Sequence, residues 1–246
     1  MKHISAIIGG TGLSQLAGFQ LNETLSIDTP YGSPSSSILM GELDKVPVCF
    51  LARHGNPHRI PPHRINYRAN IWALKSLGVT RIIAVNAVGG IAEHMGPAHI
   101  TIPDQIIDYT SRRIGSFCDD DLQMPVHIDF TYPFDKQLRD AIICKANRLK
   151  LNFSSTGVYA CTEGPRLESA AEINRLERDG AAIVGMTVMP EAALAREKEM
   201  AYASISLIVN KAAGRSNEII TMSDIENVLK EGMGDVQKLL CSVLSA

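Results

Sequence analysis

The chain has 246 residues, a formal net charge of −2, 45% apolar residues and 20% charged residues. These values fit a soluble α/β enzyme in which residues 1–246 act as one domain. They exclude broad binding to nucleic acid or an anionic membrane, since Lys and Arg are not in surplus, so any phosphate must be held by a few placed donors.

Cys49, Cys118, Cys144, Cys161 and Cys241 are scattered and never form CxxC, which points to reduced cytoplasmic thiols rather than a disulfide framework or a zinc knuckle. The apolar stretch in MKHISAIIGG is too short for a signal peptide or membrane span. No later run reaches about 18 uncharged apolar residues.

In chain order, residues 5–8 read as a buried strand entering Gly9-Gly10-Thr11-Gly12. Glycines let backbone N–H groups approach an anion, and Thr11 adds a hydroxyl donor. A plain tight turn fits equally well. A nicotinamide oxidoreductase is undercut, because Gln15 stands where a dinucleotide motif has its third glycine.

A second strand, 46–52, leads into Arg53 and His54. Arg53 is suited to fork onto a phosphate, with His54 donating to another oxygen. A solvated basic loop is the alternative, and no carboxylate or cysteine cluster nearby suggests a metal. A helix over 66–77 stops at Gly78. The strand 81–86 ends in Asn86-Ala87-Val88-Gly89-Gly90, whose bare amides suit either an anion or a strand-ending turn.

Residues 157–161 form a further strand, followed by Thr162-Glu163-Gly164-Pro165-Arg166-Leu167-Glu168. Glu168 either binds a ligand or favours the positive end of the next helix. That helix, 170–179, opens on a capping box of Ser169 with Glu172 and stops at Gly180.

The strand 181–186 carries Met186 and Thr187 at its end, ahead of a helix started by Pro190 and running to about residue 199. The strand 203–210 ends in Asn210, whose amide suits a purine edge or a turn. A second capping box, Ser223 with Glu226, opens the last helix, which carries Ile225, Val228, Leu229, Val236 and Leu240 near one face.

Near-continuous apolar strands alternating with helices predict an α/β domain with a substantially parallel sheet covered on both faces. Ligands then bind at the carboxyl ends of strands, where these polar motifs fall. Three anion-donor sets (Thr11, Arg53 with His54, and Thr187) followed by an amide and a carboxylate fit catalysis better than a purine-binding protein without chemistry, which has no need of phosphate donors.

The long string RHGNPHRIPPHRINYRANIWALKSLGV, then NAVGG, resembles the purine nucleoside phosphorylase and methylthioadenosine phosphorylase family. So do IIGGTGL, TPYGSPS, EGPRLES and VGMTVMPEAALARE, in the expected order across nearly the whole chain. The resemblance implies a homotrimer whose fold is a central twisted mixed sheet flanked by helices. It implies a reaction without metal or organic cofactor, in which inorganic phosphate attacks C1' of a ribosyl group and the purine leaves.

It assigns phosphate to Thr11, Arg53, His54, the Ala87 backbone and Thr187. It assigns the ribose to Met186 and His58, and the base to Glu168 and Asn210, with Ala212 two residues on. Asn210 is the catalytic candidate, holding N7 of the leaving purine.

Family members that cleave adenine nucleosides place Asp at positions 210 and 212 and a small residue at 168. Here Asn210, Ala212 and Glu168 suit a 6-oxopurine, because a carboxylate accepts from N1–H and an amide donates to O6 or N7. Inosine and guanosine phosphorylases place a His near the start of the last helix for the 5'-hydroxyl. Ile225 stands there, with Met222 and Ser223 beside it.

An apolar wall accepts a methylthio group, although Ile225 also fits as a core residue. Leu167 replaces the family's usual base-stacking Phe. The expected reaction is phosphorolysis of 5'-methylthioinosine to hypoxanthine and 5-methylthioribose 1-phosphate. Phosphorylases of methylthioadenosine and of inosine or guanosine are the near alternatives.

Overall fold

A computed structural model describes residues 4–10, 18–118, 126–217 and 219–245. In chain order the strands are β1 (Ile4–Gly9), β2 (Phe19–Leu25), β3 (Ile38–Leu43), β4 (Val46–Ala52), β5 (Val79–Gly90), β6 (Ile100–Thr101), β7 (Gln105–Asp108), β8 (Phe153–Ser154), β9 (Val158–Cys161), β10 (Ile183–Gly185) and β11 (Ala201–Lys211). The α-helices are α1 (Tyr67–Ser76), α2 (Lys136–Arg148), α3 (Ala170–Arg178), α4 (Glu191–Glu197) and α5 (Met222–Leu244). No helix among the described residues is long and apolar enough to cross a membrane.

The strands form one mixed sheet in the order β2-β3-β4-β1-β5-β10-β9-β7, with β11 also paired to β5 and leading to β6 and β8. Pairs β4/β1, β1/β5 and β5/β11 are parallel, whereas β10 runs antiparallel to β5. Both faces are covered, which explains the unbroken apolar runs. Successive residues of β1 go to opposite sides: Ala6 and Ile8 pack with Ile71 and Leu74 of α1 and Leu194 of α4, while Ile7 packs with Ile142 of α2 and Val236 and Leu240 of α5.

Local signals explain most element ends. The Asn66 side chain caps α1 by accepting from the Ala69 amide, and the Ser169–Glu172 capping box is present at α3. Helix α5 begins differently from the expectation. Its cap is Thr221, accepting from the Asp224 amide, two residues before the Ser223–Glu226 pair.

Helix α2 has no counterpart in the sequence reading, although Asp135 caps it and Leu138, Ile142 and Ala146 share its buried face. The hairpin β3–β4 turns through Asp44 and Lys45, both at positive φ (50° and 66°), the backbone of a two-residue turn matched to strand twist.

Strands β1 and β4 stop level with each other, Gly9 opposite Ala52. Strands β5 and β11 run on to Gly90 and Lys211. The step between short and long strands opens a crevice at the carboxyl ends. At its far end β5 approaches the next loop so closely that a Cβ on Gly90 would lie 2.0 Å from the Met95 carbonyl oxygen. Gly90 is thus required by backbone packing. We expect Gly90→Ala to lower unfolding free energy by about 1–3 kcal/mol, read from urea unfolding curves.

Candidate active site

The crevice is a cavity of about 1030 Å³. Its walls include Gly10, Arg53, His54, His58, Ala87, Glu168, Met186, Thr187, Asn210, Ala212, Met222 and Ile225. Residues predicted from six separated segments therefore share one space. Thr11 lies outside the described residues, directly after the lining residue Gly10. Ser223 is exposed and is not among the lining residues. Among the described residues, no group of three or more His, Cys, Asp or Glu side chains is placed to hold a metal ion.

Arg53 is 1% exposed, and its partners differ from the expectation. Its Nε and one terminal nitrogen fork onto Glu191, each at 2.7 Å from a carboxylate oxygen. The same terminal nitrogen reaches the Ile8 carbonyl at 3.4 Å, and the other donates to the Val85 carbonyl at 3.1 Å. Of the five guanidinium N–H groups, one remains for an anion. The fork expected to clamp phosphate is instead an internal ion pair. Burial alone would lower the Arg53 pKa, but the Glu191 carboxylate outweighs it and holds the cation charged. Tyr202 supports Glu191 by donating to Oε1 at 2.8 Å.

The His54 ring is fixed by Nδ1, 2.8 Å from the Ile60 carbonyl, and stacks on His58 with centroids 4.4 Å apart. A carbonyl only accepts, so Nδ1 carries the proton and Nε2 presents a lone pair in the neutral ring. Burial, then the neighbouring Arg53 charge, pushes the His54 pKa down to about 4. The expected donation to phosphate therefore requires the anion either to bring a proton of its own or to draw one onto the ring.

Thr187, at the end of β10, donates to Asn86 Oδ1 at 2.7 Å, and Asn86 donates to Ser204 Oγ at 2.7 Å. Asn86 thus enters the site through its side chain, where the sequence reading used only the backbone of its motif.

A bulge in β11 sets the base end. Ile208 pairs with Val88 but Asn210 with Gly89, leaving Val209 extra. Gly89 packs against the same region, where a Cβ would lie 3.2 Å from Val184 Cγ1 and in ordinary contact with the Asn210 amide nitrogen. The amide donates to the Lys211 carbonyl at 2.7 Å, which leaves its second N–H and its oxygen available.

Met186 is backed by Gly164, where a Cβ would lie 2.5 Å from its sulfur. Met222, Ile225, Leu229 and Met233 line the cavity from one side of α5, facing Leu207 and Val209 of β11. Ile225 also packs on the core, so the two readings of it hold together. Glu226 and Lys230 add exposed charge to the lining.

Such a site can hold an anion against buried donors, beside a space with an amide, a carboxylate and an apolar wall. The chain belongs to the Phosphorylase superfamily, whose model matches residues 5–245. Within it the chain is 56% identical over 243 residues to the probable S-methyl-5'-thioinosine phosphorylase of Pseudomonas syringae pv. tomato, covering 99% of both chains. It is 43% identical to the 6-oxopurine nucleoside phosphorylase of Pyrococcus furiosus, over 97% of this chain and 91% of that one. The methylthioadenosine phosphorylase of Schistosoma mansoni, solved with adenine, superposes with a TM-score of 0.94 at 30% identity, covering 99% of this chain and 91% of its own.

Two outcomes follow from the buried charges. Removing one partner of a sealed ion pair strands the other, so Glu191→Ala is expected to lose about 3–5 kcal/mol in urea unfolding. His54 stays neutral in the folded chain down to about pH 4, whereas the unfolded imidazole takes up its proton near pH 6.5. Its contribution to stability is therefore complete above that range and is lost as pH falls toward 4. Melting temperature should fall over this interval, and less steeply in His54→Asn than in the parent chain.

Proposed function

We propose that this chain catalyses phosphorolysis of 5'-methylthioinosine, releasing hypoxanthine and 5-methylthioribose 1-phosphate. The observation that carries the reading is the shared cavity. Arg53, His54, Ala87 and Thr187 line it together with Glu168 and Asn210 and the apolar side of α5. The relatives named for methylthioinosine and 6-oxopurine substrates support the same assignment.

The anion sits where the remaining Arg53 N–H, His54, the Ala87 amide and Thr187 converge, with Thr11 completing the set in this reading. One phosphate oxygen attacks C1', the C1'–N9 bond breaks, and the purine leaves with the bonding electrons. The sugar develops oxocarbenium character, which the adjacent dianion stabilises. Met186 packs on the ribose and His58 reaches one of its hydroxyls. Asn210 donates to N7 and shares the charge growing on the leaving base. Inorganic phosphate is the only co-substrate, with no metal or organic cofactor.

Specificity follows from hydrogen-bond direction. Ionised Glu168 accepts from N1–H of a 6-oxopurine, whereas adenine meets it with a lone pair, a mismatch costing about 1–3 kcal/mol. At the sugar, Met222, Ile225, Leu229 and Met233 suit a methylthio group, each buried methylene-sized group contributing about 0.8 kcal/mol. A 5'-hydroxyl against that wall would lose its water partners.

The reading includes a single domain spanning the chain, a homotrimer and residence in the cytoplasm. The cytoplasm is supported by five free cysteines.

The test follows base release from methylthioinosine, methylthioadenosine and inosine, with and without phosphate. Hypoxanthine should appear fastest from methylthioinosine, and only with phosphate. Release without phosphate, or no release, removes the phosphorylase reading. Ile225→His should raise the inosine to methylthioinosine ratio of kcat/KM by about tenfold through a new polar partner for the hydroxyl.

A further inference from the structure

Glu168 stands between two spaces. It lines the large cavity and also a smaller one of about 310 Å³ behind it, which Thr162 lines and the substrate cavity does not share. From that rear side the Thr162 hydroxyl lies 2.6 Å from Glu168 Oε1. The other acceptor near the hydroxyl, the Gly185 carbonyl, is 3.4 Å away. A hydroxyl has one proton, and at these distances it belongs to the carboxylate as a short, charge-assisted bond.

Thr162 is itself held at both ends of its peptide. Its N–H donates to the Gly185 carbonyl at 2.8 Å, and its carbonyl accepts from Arg113 at 3.1 Å. Arg113 also binds the Met186 carbonyl at 2.7 Å. Gly185 packs so closely on Tyr159 that it has no room for a side chain, a Cβ there lying 2.0 Å from the hydroxyl. The threonine is therefore a fixed post joined to the strand that carries Met186 and Thr187, while Glu168 sits on the loop preceding α3.

Resting on the proposed 6-oxopurine reading, we infer that Thr162 is a positioning residue for base selection. Its hydroxyl anchors one oxygen of Glu168 from behind and turns the acceptor face of the carboxylate toward the base. With that oxygen receiving a proton from the protein, Glu168 offers the ligand acceptors only. A ring with a donor at N1 is favoured and a ring with a lone pair there is rejected. Thr162 does this without touching the substrate, and its register to Gly185 keeps the base-reading carboxylate aligned with the ribose- and phosphate-facing residues.

The experiment compares the parent chain with Thr162→Val, Thr162→Ser and both changes on a Glu168→Leu background. It measures kcat/KM for methylthioinosine and methylthioadenosine, and calorimetric affinity for hypoxanthine and adenine with phosphate present. Thr162→Val should cut the preference for the 6-oxo partner about tenfold, in line with a lost bond to a charged group, with Thr162→Ser restoring it to within about twofold.

On Glu168→Leu, which has no acceptor for the Thr162 hydroxyl, adding Thr162→Val should change the preference by less than about twofold. Equal losses on oxo and amino ligands, or the same loss with Leu at 168, would overturn the inference. Melting temperatures identify any variant that fails to fold, and Thr162→Ala replaces Val in that case. A parent chain that cleaves neither nucleoside in phosphate refutes the functional reading itself, whereas a parent active on methylthioinosine with an unchanged preference in Thr162→Val refutes only the role of Thr162.

Discussion

One guanidinium organises the centre of this molecule. Arg53 leaves the end of β4 and bonds to carbonyls of β1 and β5 and to the first residue of α4, all out of contact with water. Burying either charge alone would be costly, and the forked geometry with Tyr202 on the carboxylate is what makes the pair tolerable. Its consequence is positional. The ends of β1 and β4, the middle of β5 and a helix start are locked around a fixed positive charge, at the level where β1 and β4 stop and the crevice begins.

From that point a second polar chain runs into the sheet. Thr187, Asn86, Ser204 and Ser206 are linked at 2.7, 2.7 and 3.0 Å. Satisfied buried networks of this kind rigidify the groups they contain. Arg53, Asn86 and Thr187 are thus held in the buried centre of the fold, whereas Glu168 comes from a loop. The chain runs inward, since Thr187 gives its one hydroxyl proton to Asn86, so an anion meeting that oxygen has to bring a proton or displace the bond.

Much of this was legible in the sequence for a physical reason. Strands β1, β4, β5, β9, β10 and β11 are buried on both faces and read as plain apolar runs, and the polar residues that follow them fall at the crevice. Helix α2 and strand β2 were harder to read. The α2 apolar stripe has only Leu138, Ile142 and Ala146 buried, and β2 is mostly exposed, so neither shows a strong period. The β3–β4 turn uses Asp-Lys where Asn-Gly or Asp-Gly is the usual signal.

The opening of α5 was misread because two overlapping caps fit the same stretch, and Thr221 with Asp224 prevails over Ser223 with Glu226. At the site, the role of Glu191 was invisible. An acidic residue in the first turn of a helix is explained by the dipole alone, and only the tertiary fold shows it sealed against Arg53.

The division between strands and α5 sets how such a site diversifies. The residues proposed to meet the anion lie in β5 or directly after β4 and β10, whereas the apolar residues that would meet the far end of the sugar come from one side of a single helix. That helix seats against β11 at Gly232, where a Cβ would run into Leu207. Side chains along its cavity face can be exchanged while the seat and the buried charges stay as they are. In the proposed reaction, tolerance for a different 5'-substituent is thus a modular property, adjustable without rebuilding the residues assigned to the anion.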